Sequence, residues 1–287
     1  MDLQTTQQPP ATMYITGPRA LWSTFWAMVK KELIVLARYP VQFVTSFAQI
    51  FLIIAILSLA ATMFMPADGS GNSPTGVIVY GFVLFMFLSD TLWTIGVNIR
   101  REQTQGTLEQ LYLSPASKFS SLISKVANLL IWTGSLSLVA VITMSAFLGE
   151  LPVENLGLGM LILIFSLAGT FGVGFAFAAL TLRIKETAQT VVNLVQFAFM
   201  ILCANFFPFS ALPDSVQFIS KLIPLSYSVD AFRSTLMGYP PGFPELAPIE
   251  TELVIVTLFG LFMPFLGYWL YRKAENHARR VGGLAEF

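Results

Sequence analysis

Residues 158–182 read LGMLILIFSLAGTFGVGFAFAALTL, without a single charge, and Arg183 and Lys185 follow at once. A helix needs roughly 20 apolar residues to cross the hydrocarbon core of a bilayer. Lipid offers no hydrogen-bond partners, so such a stretch can satisfy its own backbone there only as a helix. The segment therefore reads as a transmembrane helix that ends in positive charge.

Working outward with the same criterion, five further spans are expected at 43–65, 76–98, 126–148, 188–207 and 253–271. Asn193, Gln196 and Asn205 dilute the one at 188–207. Of the 287 residues, 55% are hydrophobic and 11% charged, whereas soluble domains carry about 25% charge. The fold class expected is an all-α integral membrane protein with six transmembrane helices.

Orientation follows from Lys and Arg, which accumulate on the cytoplasmic side. With six spans, Arg19, Lys30, Lys31, Arg38, Arg100, Arg101, Lys118, Lys125, Arg183, Lys185, Arg272, Lys273, Arg279 and Arg280 share one side. Only Lys221 and Arg233 fall on the other, among Asp68, Glu150, Glu154, Asp214, Asp230, Glu245, Glu250 and Glu252. Both termini are thus placed in the cytoplasm. Removing any one span would scramble this segregation.

Three segments are not spans. In residues 20–38, Trp22, Phe25, Trp26, Val29, Leu33 and Leu36 recur at helical spacing, with Thr24, Lys31 and Arg38 opposite. This is the pattern of an amphipathic helix lying in the membrane interface. In residues 100–117, RREQTQGTLEQLYLSPAS, Thr107, Leu108, Leu111 and Tyr112 can share one face of a short helix, which Ser114-Pro115 would end. Taken alone, this segment is either a charged loop capping two spans or a docking helix for a soluble partner. Residues 206–233 are too apolar for a water-exposed loop and are cut by Pro208, Pro213 and Pro224. They read as a re-entrant or interfacial helical hairpin, because irregular backbone at membrane depth survives only under cover of protein or water. Residues 1–19 read as a flexible tail, 20–273 as the membrane domain and 274–287 as a cytoplasmic tail.

Within the spans, Asp90 is the only acidic residue. It lies about 12 Å in from the nearer end, where a charge costs about 2.5–3.5 kcal/mol or more. It either lines a path or packs as a neutral, hydrogen-bonded group. Gly169, Gly172 and Gly174, with Ala168 and Ala178, give the small-residue spacing of closely packed helices, within or between subunits. Pro264 falls inside the last span, where a bend is expected.

Several chemistries are excluded. Zero net charge gives no case for nucleic-acid binding, and one cysteine and one histidine (Cys203, His277) exclude an internal disulfide and a thiolate metal cluster. No glycine precedes a lysine, so the phosphate loop of P-loop ATPases is missing. There is no clear inverted repeat of the kind found in secondary transporters.

Three features together resemble the permease family of type-2 ABC exporters. They are the six spans preceded by an amphipathic helix, the segment Glu102, Gly106, Thr107, Leu108, Glu109, Leu111, Ser114 and Pro115, and the segment Pro208, Leu212, Pro213, Pro224, Leu225, Tyr227, Asp230 and Arg233. Ile223 departs from the polar residue that many relatives place before this proline. The resemblance implies an ATP-driven exporter of a drug-, lipid- or polymer-like substrate in a prokaryotic cytoplasmic (inner) membrane. It implies a homodimer of permease chains above two copies of a separate ATPase, which holds ATP and Mg, so that this chain binds no cofactor and catalyses no reaction. The segment at 100–112 would be the coupling helix seated in the ATPase, and the hairpin at 208–223 would gate the exit. Asp90 is the candidate path residue. The rival readings are an ion-coupled secondary transporter, for which only Asp90 is a candidate relay, and a non-transporting membrane scaffold.

Overall fold

Proline sets many of the boundaries. In this computed structural model four helices begin at a proline, whose fixed φ suits the first helical turn and whose missing N–H is one the turn cannot use. The structure describes residues 18–64, 74–97, 118–148, 151–184 and 187–280. The expected coupling segment at 100–117, residues 1–17 of the expected N-terminal tail and 281–287 of the C-terminal one lie outside these.

Helix α1 spans Pro18–Arg38, α2 Pro40–Phe64, α3 Pro74–Thr91, α4 Lys118–Leu148 and α5 Leu156–Ile184. Then follow α6 Ala188–Leu202, α7 Asp214–Lys221, α8 Pro224–Leu236 and α9 Ile249–Arg280. Helix α3 widens into a π-helical stretch at Leu92–Val97. Helix α1 covers the helix expected at 20–38, with Trp22, Trp26, Leu33 and Ile34 exposed. Helix α9 runs on through Arg280, so residues 274–280 prolong the last helix. Pro264 sits inside that helix without ending it.

Five helices are long and apolar enough to cross a membrane: Pro40–Ala60, Thr75–Ile95, Lys125–Phe147, Leu156–Leu182 and Ile249–His277. They fall on five of the six expected spans. The expected span at 188–207 is instead the 15-residue helix α6. At 1.5 Å per residue it is about 22 Å long, short of the roughly 30 Å core. Its end is a Schellman turn: Ala204 takes the left-handed conformation at φ 46°, its N–H bonds Ile201 O, and the Asn205 N–H bonds Met200 O. The chain nevertheless travels most of the bundle here. Helix α6 starts beside the end of α5, is joined to Trp93 through Gln196, and reaches Gly81 of α3 at Asn205, where a Cβ on Gly81 would overlap the Asn205 carbonyl.

Helix α3 is central, with 83% of its apolar window buried, against 11% for α2 at the periphery. Helices α5 and α9 pack along their lengths through glycine. A Cβ at Gly169 would strike the Phe259 ring, one at Gly172 the backbone of Met263 and Pro264, and one at Gly267 the backbone of Gly172. Gly174 likewise faces Thr91 of α3. The glycine stripe of α5 therefore serves close packing within the chain, where backbone approach replaces the hydrophobic drive that lipid removes.

Candidate functional site

Between α6 and α9 the chain folds into short pieces, and each break has a local cause. Pro208 and Pro213, both extended, flank a 3₁₀ turn at Phe209–Ala211 and the start of α7. Ile223, also extended, precedes Pro224 at the first position of α8. The expected breaks at Pro208, Pro213 and Pro224 are thus where the structure puts them. Leu212 is buried with Phe209 against Phe207, Val216 and Leu246, while Phe218, Ile219 and Leu222 of α7 point outward. The Tyr227 hydroxyl donates to Lys221 O at 2.9 Å, tying α8 back to α7. Neighbouring burial and Glu252 push the Tyr227 hydroxyl above its ordinary pKa.

Helix α8 is the interior of this region, packed against α3, α5 and α9 and buried from Ser228 through Leu236. Its Asp230 and Arg233, one turn apart, are both fully buried. The sequence reads here as a re-entrant or interfacial hairpin, which the resemblance makes a gate; in the structure these two residues hold the connection together from within. Asp230 Oδ2 accepts the N–H groups of Glu245 and Leu246, each at 2.7 Å. Arg233 Nη1 donates to the carbonyls of Ala204 at 3.2 Å and Phe207 at 3.1 Å. Its Nε lies 3.6 Å from Asp230 Oδ1 and its Nη2 3.7 Å from Glu245 Oε1. Both are ion-pair distances beyond hydrogen-bond range. The rings of Phe209 and Phe243 lie 5.0 and 5.7 Å from the guanidinium carbon, close enough for cation–π attraction.

Two further carboxylates complete the cluster. Glu245 spans the 3₁₀ turn, Oε1 accepting from Phe209 N at 3.0 Å and Oε2 from Ser210 N at 2.7 Å. Those N–H groups open a short helix and have no partner within it. Glu252, in the first turn of α9, is fully buried and accepts the Ala247 N–H at 3.3 Å. Burial presses the Arg233 guanidinium below its ordinary pKa, and the charges of Asp230 and Glu245 oppose that. One cation thus holds the end of α6, the 3₁₀ turn, α8 and the 240–248 connection. Helical spacing pairs Asp230 with Arg233 in the sequence, but Glu245 and Glu252 give no such signal. They look like ordinary acidic loop residues, and only folding brings them to Arg233.

The second polar site is in the bundle. Asp90 Oδ2 accepts the hydroxyl of the buried Thr133 on α4. Three residues on, the Trp93 indole donates to Gln196 Oε1 of α6 at 3.0 Å. Asp90, Trp93 and Thr94 are half-buried, and Asn193 of α6 is exposed. Asp90 and the Arg233 cluster therefore do not meet. They lie toward opposite ends of α3, since the cluster adjoins the Gly81 end. Glu102, Gly106, Thr107, Leu108, Glu109, Leu111, Ser114 and Pro115 fall outside the described residues.

A bundle of long apolar helices around a largely buried central span defines a multi-pass membrane protein. Residues 67–271 match the family described as ABC-2 family transporter protein. That is well over half of the sequence, and the chain belongs to this family of permease components, which are not themselves catalytic and generally work with an ATPase partner. No curated protein matches the chain.

Proposed function

We propose that this chain is the membrane subunit of an ATP-driven exporter that moves a drug-, lipid- or polymer-like substrate outward with a separate ATPase. The observation that carries this reading is the family match over 67–271, which takes in both the 100–117 segment and the Asp230–Arg233 cluster. Two permease chains form a homodimer above two ATPase subunits, which bind the ATP and Mg. The sixth crossing is made by α6 together with the turn at 203–208, because the chain passes from the end of α5 to the Gly81 level of α3 over this stretch. Six crossings also return both termini to the cytoplasmic side of a prokaryotic inner membrane, as the Lys and Arg distribution requires.

In this arrangement the 100–112 segment docks in the ATPase and the continuous α3–π element carries its movement into the bundle. Pro208, Leu212, Pro213, Pro224 and Tyr227 shape the outer gate, and Asp230 and Arg233 fasten it. Asp90 lines the path. The test is a native pull-down of the tagged full chain from membranes in mild detergent. A stoichiometric soluble protein carrying a phosphate loop is the expected companion. A chain that purifies alone under several gentle conditions, with transport that survives ATP depletion but not collapse of the proton gradient, overturns the reading in favour of an ion-coupled carrier.

A further inference from the structure

The face containing Asp90 is unusual for a surface at membrane depth. Asp90, Trp93 and Thr94 succeed one another at i, i+3 and i+4 on α3 as it widens into the π-helical stretch. Helix α6 lies alongside, with Gln196 bonded to Trp93 and Asn193 exposed one turn earlier. Hydrocarbon cannot satisfy these polar groups, so they face protein or a water-filled path.

Asp90 is the acid in this face, and the Thr133 hydroxyl donates to its carboxyl. In its ionised form, with the Thr133 hydroxyl as its partner among the described residues, this carboxylate is stabilised by a positive charge brought from elsewhere. The surroundings also restrict which cation fits. Calcium and magnesium take six or more oxygen ligands, and the described residues hold no group of three or more His, Cys, Asp or Glu side chains suited to a metal. An organic cation needs only one carboxylate, and it gains from apolar walls and an aromatic ring. The Trp93 ring, three residues along the helix from Asp90, is held by its bond to Gln196, so its placement costs no further ordering.

We propose that Asp90, held by Thr133 and flanked by Trp93, is a cation-accepting subsite and that the cargo includes organic cations with an apolar body. The proposal rests on the permease reading and narrows it to a substrate class. Its charge selectivity is read on the purified chain without any ATPase, so the two can fail separately. A chain that brings down its ATPase but shows no cation selectivity sinks this proposal and leaves the permease reading standing.

The experiment is equilibrium dialysis of the full chain in phosphatidylcholine nanodiscs against tetraphenylphosphonium and tetraphenylborate, ions of the same shape and opposite charge. Saturable phosphonium binding above that of empty discs, without saturable borate binding, is expected. Asp90→Asn should weaken phosphonium binding about tenfold or more, the scale of one lost charge-assisted contact, and Asp90→Glu should recover part of it. Should the Asn variant fail to elute as a single species, the wild-type chain decides the matter through pH, because phosphonium binding must fall as acid protonates the carboxylate. Equal binding of the two ions, no saturable binding, undiminished binding by a well-folded Asn variant, or binding indifferent to acid each overturns the proposal.

Discussion

Replacing Arg233 by Met tests the account of the buried cluster most directly. Met fills much of the same volume without charge or donors. The change leaves the Ala204 and Phe207 carbonyls without their Nη1 donor and strips Asp230 and Glu245 of the cation they share. Removing one partner of a buried ion pair costs about 3–5 kcal/mol, because the other charge stays buried and uncompensated. Each carbonyl deprived of its partner adds a desolvation cost of about 1–3 kcal/mol unless water or a shift of the turn relieves it. Part of this is returned, since α8 no longer has to desolvate a guanidinium, so about 3–5 kcal/mol is the working figure. For a chain of this size that lowers the melting temperature by roughly 6–20 °C. The assay is intrinsic-fluorescence melting of the detergent-purified chain, with Arg233→Lys alongside. Lys keeps the charge but cannot reach both carbonyls and both carboxylates from one rigid fork, so it should fall between Met and wild type. A Met variant that melts within about 2 °C of wild type, half a kcal/mol to one kcal/mol on the same scale, would refute the claim that Arg233 fastens these segments.

Three further outcomes are expected. Glu252→Gln should melt at or above the wild-type temperature, because one guanidinium faces the buried carboxyl groups of Asp230 and Glu252 and the half-buried one of Glu245, and Gln keeps an acceptor for the Ala247 N–H while adding a donor; a drop of more than about 5 °C would contradict this. Ala204→Gly should stabilise by up to about 1 kcal/mol, since the left-handed backbone at φ 46° penalises a Cβ, and a thermal shift in the opposite direction would count against strain at this turn. Replacing Gly106 or Glu109 should leave membrane insertion intact and ATPase activity present but separated from transport. Vesicle uptake at the wild-type rate by both variants would remove the 100–112 segment from the coupling role.

The sequence by itself determined the membrane class, five of the spans and the helix at 20–38. These are properties of contiguous residues: a run of apolar side chains in lipid must be helical, and helical period alone assigns the two faces of 20–38. It also located the breaks at Pro208, Pro213 and Pro224, because proline acts on its own φ and on the residue before it. Single sites were less legible. The stripe at Gly169, Gly172 and Gly174 announced close packing but not its partners, since sequence does not say that Phe259, Met263 and Gly267 of α9 and Thr91 of α3 lie opposite. Residues 188–207 read as one more span, yet the left-handed Ala204 ends the helix at Leu202. That conformation is held by contacts that only folding provides, the Arg233 bond to the Ala204 carbonyl among them. The tertiary structure also decided that Asp230 and Arg233 are interior and that Glu245 and Glu252 join them. A buried charge is tolerable only when partners converge on it from several directions. Here those partners come from the end of α6, the 3₁₀ turn, the 240–248 connection and α9, which are separated along the chain and meet only once the bundle has formed.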